Sequence, residues 1–178
     1  MSRIVVVTLG VGPPAAMEAV SLAKSVEAVA AAEAAGVTFI RLQVDGGVIL
    51  APEVVGSFLA DQFPSACFLV EPAEELDAPT GDLVAVSEAA SVGADARLRT
   101  ALDRVGRRRE EVALLGRVEV SAGDATRKTA HRLNEWADRE NLDGFELVPA
   151  RGLAGWNAVV WQLVPLLDPT GSRCVLTP

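Results

Sequence analysis

Few residues in this chain could do chemistry. There is one histidine, His131, and no tyrosine. A histidine-based metal site draws on several His, Cys or carboxylate ligands, so one imidazole argues against it. A Ser–His–Asp arrangement would have to use His131, which sits in the charged stretch "KTAHRLNEW" and reads as a surface helix residue, and no GxSxG elbow occurs. The stretch "LGVGPPA" at 9–15 places Gly10, Gly12 and Ala15 on the dinucleotide pattern G-x-G-x-x-G/A. Pro13 and Pro14 remove amide donors from the loop that would cradle a pyrophosphate, and Asp45 lies too far along to be the ribose-binding acid. The stretch reads first as a strand-to-helix turn, with a nucleotide site at Gly10 and Gly12 as the alternative.

Carboxylates are plentiful. Glu71, Glu74, Glu75 and Asp77 cluster on one turn-rich segment and read as solubilising; their spacing is not that of a calcium loop. Asp45, in "QVDGGV", falls just beyond the C-terminal end of an expected strand, the edge at which α/β folds bind ligands, although Asp-Gly-Gly is also ordinary turn chemistry. Thr8 closes the first strand at the same edge. Thr8 and Asp45 are therefore the residues expected to line a cofactor-binding mouth; no catalytic residue is assigned.

The elements that would position them alternate. Arg3–Thr8 is a β-branched run, Met17–Ala35 an alanine-rich helix ended by Gly36, and Val37–Leu42 a second strand. Pro52–Gln62 reads as a helix with proline in its first turn, and Ser65–Val70 as a third strand. A long connection over 71–82 leads to strand Asp82–Val86, helix Asp95–Val105 and strand Val112–Val120. Asp124 is expected to cap a helix running to Arg139, followed by strand Leu142–Val148. In the last helix, Leu153–Leu167, Trp156, Val159, Val160, Leu163, Val164 and Leu167 share one stripe, and Pro165 should kink or end its final turn. Trp136 is expected to pack inward, and Trp161 to face a neighbouring helix or a partner. Strands alternating with helices imply βαβ units, a single domain and a mainly parallel sheet.

Composition bounds the partners. Of 178 residues, half are hydrophobic and 22% charged, as in a globular domain, and the net charge of −8 disfavours nucleic acid and anionic membrane. The one basic run, Arg104–Arg109, reads as a solvated helix end. Two cysteines, Cys67 and Cys174, in apolar runs suggest a reducing, cytoplasmic setting, and no run is long enough for a signal h-region or a membrane span.

Three stretches resemble the bacterial luciferase-like, flavin-dependent monooxygenases: "SVEAVAAAEAAGVTFIRLQVD" (25–45), "RLRTALDRVGRRREEVALLGRVEVSAGDATRKTAHRL" (97–133), and "LDGFELVPA" with "VVWQLVPLL" near the C-terminus. Their order and spacing span about two-thirds of the chain. The resemblance implies a TIM-barrel-type (β/α) architecture, a reduced flavin (FMN, or the related coenzyme F420) and oxygen-dependent chemistry. A full (β/α)8 barrel needs at least about 200 residues, so the expectation is a truncated or distorted barrel of about six mainly parallel strands that hides its open edges in a homodimer. The family's characteristic histidines and tyrosines have no counterparts here. The expected function is thus small-molecule binding with weak or lost oxidoreductase activity, the alternatives being a non-catalytic assembly module and an open, nucleotide-binding α/β domain.

Overall fold

The computed structural model describes residues 3–11, 21–37, 39–44, 51–70, 76, 79, 81–150 and 152–167. The described residues form six strands and five α-helices: β1 (Ile4–Val11), α1 (Leu22–Ala34), β2 (Phe39–Val44), α2 (Pro52–Gln62), β3 (Cys67–Leu69), β4 (Leu83–Val86), α3 (Ala94–Val105), β5 (Ala113–Val120), α4 (Arg127–Glu140), β6 (Gly144–Pro149) and α5 (Gly152–Ala158). All the pairings are parallel, and the strand order is β3-β2-β1-β6-β5-β4.

That order is the cyclic order of a six-stranded ring, interrupted between β3 and β4. The steps β1→β2→β3 and β4→β5→β6 run in one direction across the sheet. Crossovers of a single hand that never reverse direction place every helix on the same face. A doubly wound sheet reverses at a switch point and carries helices on both faces. The open, doubly wound alternative is therefore not what this chain adopts.

The packing agrees. One apolar cluster joins buried residues of all five helices to the outward row of the strands: Val5, Val7 and Leu9 of β1, Ile40 of β2, Leu114 of β5 and Phe145 of β6. The other consists of strand residues alone: Val6, Phe39, Leu83, Ala113 and Leu115, with Ile4, Cys67, Leu69 and Ala85 against them. A face that no described helix covers and that still buries Val6 and Leu115 completely fits a sheet that curls over itself. The fold is a truncated TIM-barrel-like α/β structure.

Local chemistry sets the element ends. Gly36, at φ 83°, ends α1 in the left-handed region; its amide reaches the Glu33 carbonyl and that of Val37 reaches Ala32, closing a Schellman turn that aims the chain into β2. Thr126, not Asp124, caps α4: the Thr126 hydroxyl accepts from the Thr129 amide at 3.3 Å. Asp124 is taken up in a short 3-10 turn, Ala122–Asp124. β1 runs three residues beyond Thr8, because Leu9 and Val11 are buried against the helices while Gly10 pairs with Gln43 of β2.

The apolar stripe of the last helix is buried at all six positions. After α5 the backbone loosens into a π-turn, Val159–Leu163, and then tightens into a 3-10 turn, Val164–Leu166, around Pro165. The Trp156 indole N–H donates to the Ala28 carbonyl at 2.9 Å, fastening α5 to α1. Gly155 is required by the close return of this helix onto β6, since a Cβ there would overlap the Ala150 carbonyl. Trp136 packs inward as expected, whereas Trp161 is exposed.

The N-terminal ends of the strands are tied by arginines; Arg104 and Arg108 are exposed, as a solvated run would be, but Arg107 and Arg109 are not. Arg109 is nearly buried and donates to Asp95 (2.6 Å) and Asp143 (2.8 Å). Arg107 donates to the Gly81 carbonyl and to Asp82, just ahead of β4. Burial raises the Asp95 carboxyl, but hydrogen bonds and charge from Arg109 and Arg99 outweigh it and hold the pKa below the usual carboxylate value. Arg3 makes the matching tie ahead of β1, to the Leu142 carbonyl and Asp138.

Candidate functional site

The helix-free face carries an apolar floor and a polar upper layer. In parallel pairs, residues in register point to the same side. Val6 pairs with Phe39 and with Glu146, Thr8 with Arg41, Gly10 with Gln43, and Arg117 with Glu146. Since Val6 and Phe39 belong to the strand-only cluster, Thr8, Arg41, Arg117 and Glu146 lie on that same face. They sit at mid-strand in β1, β2, β5 and β6, below the C-terminal ends at which barrel enzymes bind ligands.

Three of these side chains are withdrawn from solvent: Thr8 is 5% exposed, Arg41 6% and Glu146 0%. Arg41 Nε donates to Glu146 Oε1 at 2.6 Å, across the intervening strand β1. The Thr8 hydroxyl donates to the same oxygen at 3.4 Å, a long contact of little strength. Glu146 Oε2 is fully buried and has no hydrogen-bond partner among the described residues. Buried polar atoms are nearly always satisfied, so this oxygen calls for a partner.

Arg117, Glu119 and Gln43 are exposed and Gly10 is half-buried. Arg117 forms no ion pair among the described residues, although it stands in register with Glu146. Glu119 also borders a cleft of about 360 Å³ between the end of β5 and the start of α4, whose other walls include Thr126, Lys128, Thr129 and Arg132. A cleft of that size lies within the range of small-molecule sites.

Thr8 is buried on the helix-free face, in mid-strand rather than at the strand end, because β1 runs on to Val11. Asp45, Gly12, Pro13, Pro14, Cys174 and the carboxylates Glu71, Glu74, Glu75 and Asp77 lie outside the described residues. Gly10 belongs to β1 rather than to a loop after it. His131 is exposed on α4, beside Glu135, away from the inner face. Cys67 is half-buried on β3. Among the described residues no group of three or more His, Cys, Asp or Glu could hold a metal ion, and no helix is long and apolar enough to cross a membrane.

Sequence reasoning missed Arg41, Arg117 and Glu146. The signal was a charge in the middle of a strand: Arg41 interrupts "VTFIRLQV" and Glu146 interrupts "DGFELV", each on the row that alternates away from the helices.

No family model matches the chain, and no curated protein matches it. Among solved structures, a delta-aminolevulinic acid dehydratase (porphobilinogen synthase) from Toxoplasma gondii, in complex with its reaction product porphobilinogen, aligns over 84% of this chain at 16% identity and a TM-score of 0.32. The chain spans 49% of that enzyme's length. A likeness at this level carries no functional argument, and the fold assignment rests on the strand order and the packing.

Proposed function

We propose that this chain is a shortened luciferase-like protein that binds FMN or a related flavin such as coenzyme F420 at the C-terminal mouth of its curled sheet, with weak or lost oxidoreductase activity. The observation that carries this reading is the buried Thr8–Arg41–Glu146 group, with one carboxylate oxygen unsatisfied, on a strand-only face beneath the exposed Gln43 and Glu119. Arg117 is a guanidinium suited to the phosphate of FMN. The three stretches that resemble luciferase-like monooxygenases supply the flavin. A bound flavin would supply redox chemistry at its ring; the residues of the mouth bind and orient. No general acid or base is assigned, since the one histidine lies elsewhere.

The dimer belongs to the same proposal. β3 has a hydrogen-bonded strand on one side only among the described strands, and Val54 and Phe58 of the adjoining α2 are exposed. An unpaired edge beside apolar surface favours association. A single 18.6 kDa species in sedimentation at micromolar concentration would contradict it.

Titration of the full chain with FMN and riboflavin, followed by flavin fluorescence, tests the binding. FMN should bind more tightly than riboflavin, and Arg117→Gln should narrow the gap, because only FMN carries the anion. No binding of either at millimolar concentration would refute the reading and leave an assembly role.

A further inference from the structure

The exposed apolar side chains are concentrated rather than scattered. Among the described residues six large ones are exposed, and four of them, Val54, Phe58, Val92 and Val105, lie on α2 or at the two ends of α3. Those helices adjoin the two ends of the strand order: α2 leads into β3, and α3 follows β4. Beside α2 lies a groove of about 440 Å³ between its Gly56, Ser57 and Ala60 and the side chains of Ala66, Phe68 and Val70. Glu53, Ser57 and Asp61 follow one another at spacings of four, as one ridge of the helix surface. The two carboxylates stand about 12 Å apart along the axis; both are exposed, and neither forms an ion pair among the described residues.

The surface of α3 carries the opposite charge. Its Asp95–Arg99 flank is engaged with Arg109. The other flank holds a shallow groove of about 260 Å³ on Ala96, Thr100 and Ala101, between Arg97 and Arg104. These arginines stand about 10.5 Å apart along the axis. Both are exposed, and neither forms an ion pair among the described residues; Arg97 donates to the Ala90 carbonyl. In a chain of net charge −8 such a flank is the exception, and another copy offers it mostly negative surface.

We infer that the α2 flank of one copy packs on the α3 flank of a second, with Glu53 and Asp61 facing Arg97 and Arg104. This rests on the dimer proposed above and names its interface. A two-fold axis makes the contact twice, α2 on α3 and α3 on α2, so both ends of the sheet are covered together. The small residues between the arginines leave room for the α2 ridge. Burial of the exposed valines and Phe58 supplies the affinity. Exposed ion pairs add little to it, but they fix the register, since like charges set face to face are strongly disfavoured.

The test is a charge exchange on the full chain, read by sedimentation velocity at micromolar concentration, with circular dichroism confirming each fold. One variant carries Glu53→Arg and Asp61→Arg; the other carries Arg97→Glu and Arg104→Glu. Each alone should self-associate at least about tenfold more weakly than wild type, because both contacts then oppose like charges. Mixed in equal amounts, the two should form a one-to-one dimer of near wild-type affinity. Should the second variant not fold, Arg104→Glu alone takes its place. Variants that each self-associate as well as wild type, or a mixture no tighter than its components, overturn this interface and leave the dimer standing. A wild-type chain that stays monomeric overturns the dimer and the interface together.

Discussion

Replacing Arg41 by methionine should destabilise the fold far more than replacing any surface arginine. The Arg41 and Glu146 side chains are 8% and 0% exposed and meet at 2.6 Å. At an effective dielectric of about 20 their raw attraction is about 6 kcal/mol. Desolvation of the two charges, at several kcal/mol each, offsets most of that. Removing one partner leaves the other buried and uncompensated, which costs about 3–5 kcal/mol. Set against a typical total of about 5–15 kcal/mol, that is a large fraction of the stability. At about 2–4 °C per kcal/mol for a chain of this size, the melting temperature should fall by about 6–20 °C. Urea unfolding of Arg41→Met, Glu146→Leu and the double variant closes a cycle. The double variant should lose less than the sum of the two single variants, because the Arg41–Glu146 contact is counted once. If Arg41→Met costs under about 1 kcal/mol, as for an exposed pair, the helix-free face is not closed as described and the curled-sheet account fails.

Other consequences can be measured on the same chain. Gly116 lies under the Trp136 ring, where a Cβ would come within 2.6 Å, so Gly116→Ala should cost about 1–3 kcal/mol by overpacking and shift the tryptophan emission. At Gly144 a Cβ would overlap the Ile4 backbone, which cannot yield, so Gly144→Ala should abolish cooperative unfolding. Asp95 has a folded pKa below its unfolded value, so its contribution is fully present above the unfolded pKa and fades as pH falls through the folded one. The stability gap between wild type and Asp95→Asn should therefore be constant from about pH 5 to 7 and shrink below about pH 4; a gap unchanged down to pH 2 would remove Asp95 from the arginine network.

Much of the fold was legible because its signals are local. β-branched runs marked the strands, Gly36 marked the end of α1, and the six-residue stripe of the last helix is buried throughout. The strand order was not legible: that β1 lies between β2 and β6 follows from backbone hydrogen bonds between segments about 140 residues apart, and those bonds are blind to side-chain type. The basic run at 104–109 misled for a related reason. Arg109 is neutralised by Asp95 and Asp143, 14 and 34 residues away, and only the folded chain brings them together. Asp124 and Thr126 are both good capping residues, and the 3-10 turn that consumes Asp124 decides between them. Thr8 was placed at a strand end, but β1 continues to Val11 and leaves it in mid-strand. Arg41 and Glu146 could have been found by asking why an apolar strand tolerates a charge on the row turned away from the helices, a position that only a curled sheet makes interior.

The most direct measurement is the map of backbone amide shifts in 1H–15N spectra of the full chain as FMN is added. The account predicts shifts centred on Gly10, Gln43 and Glu119 toward the C-terminal ends of β1, β2 and β5, and on Thr8, Arg117 and Glu146 below them. Shifts confined to the helix-bearing face, or none at saturating FMN, would contradict it.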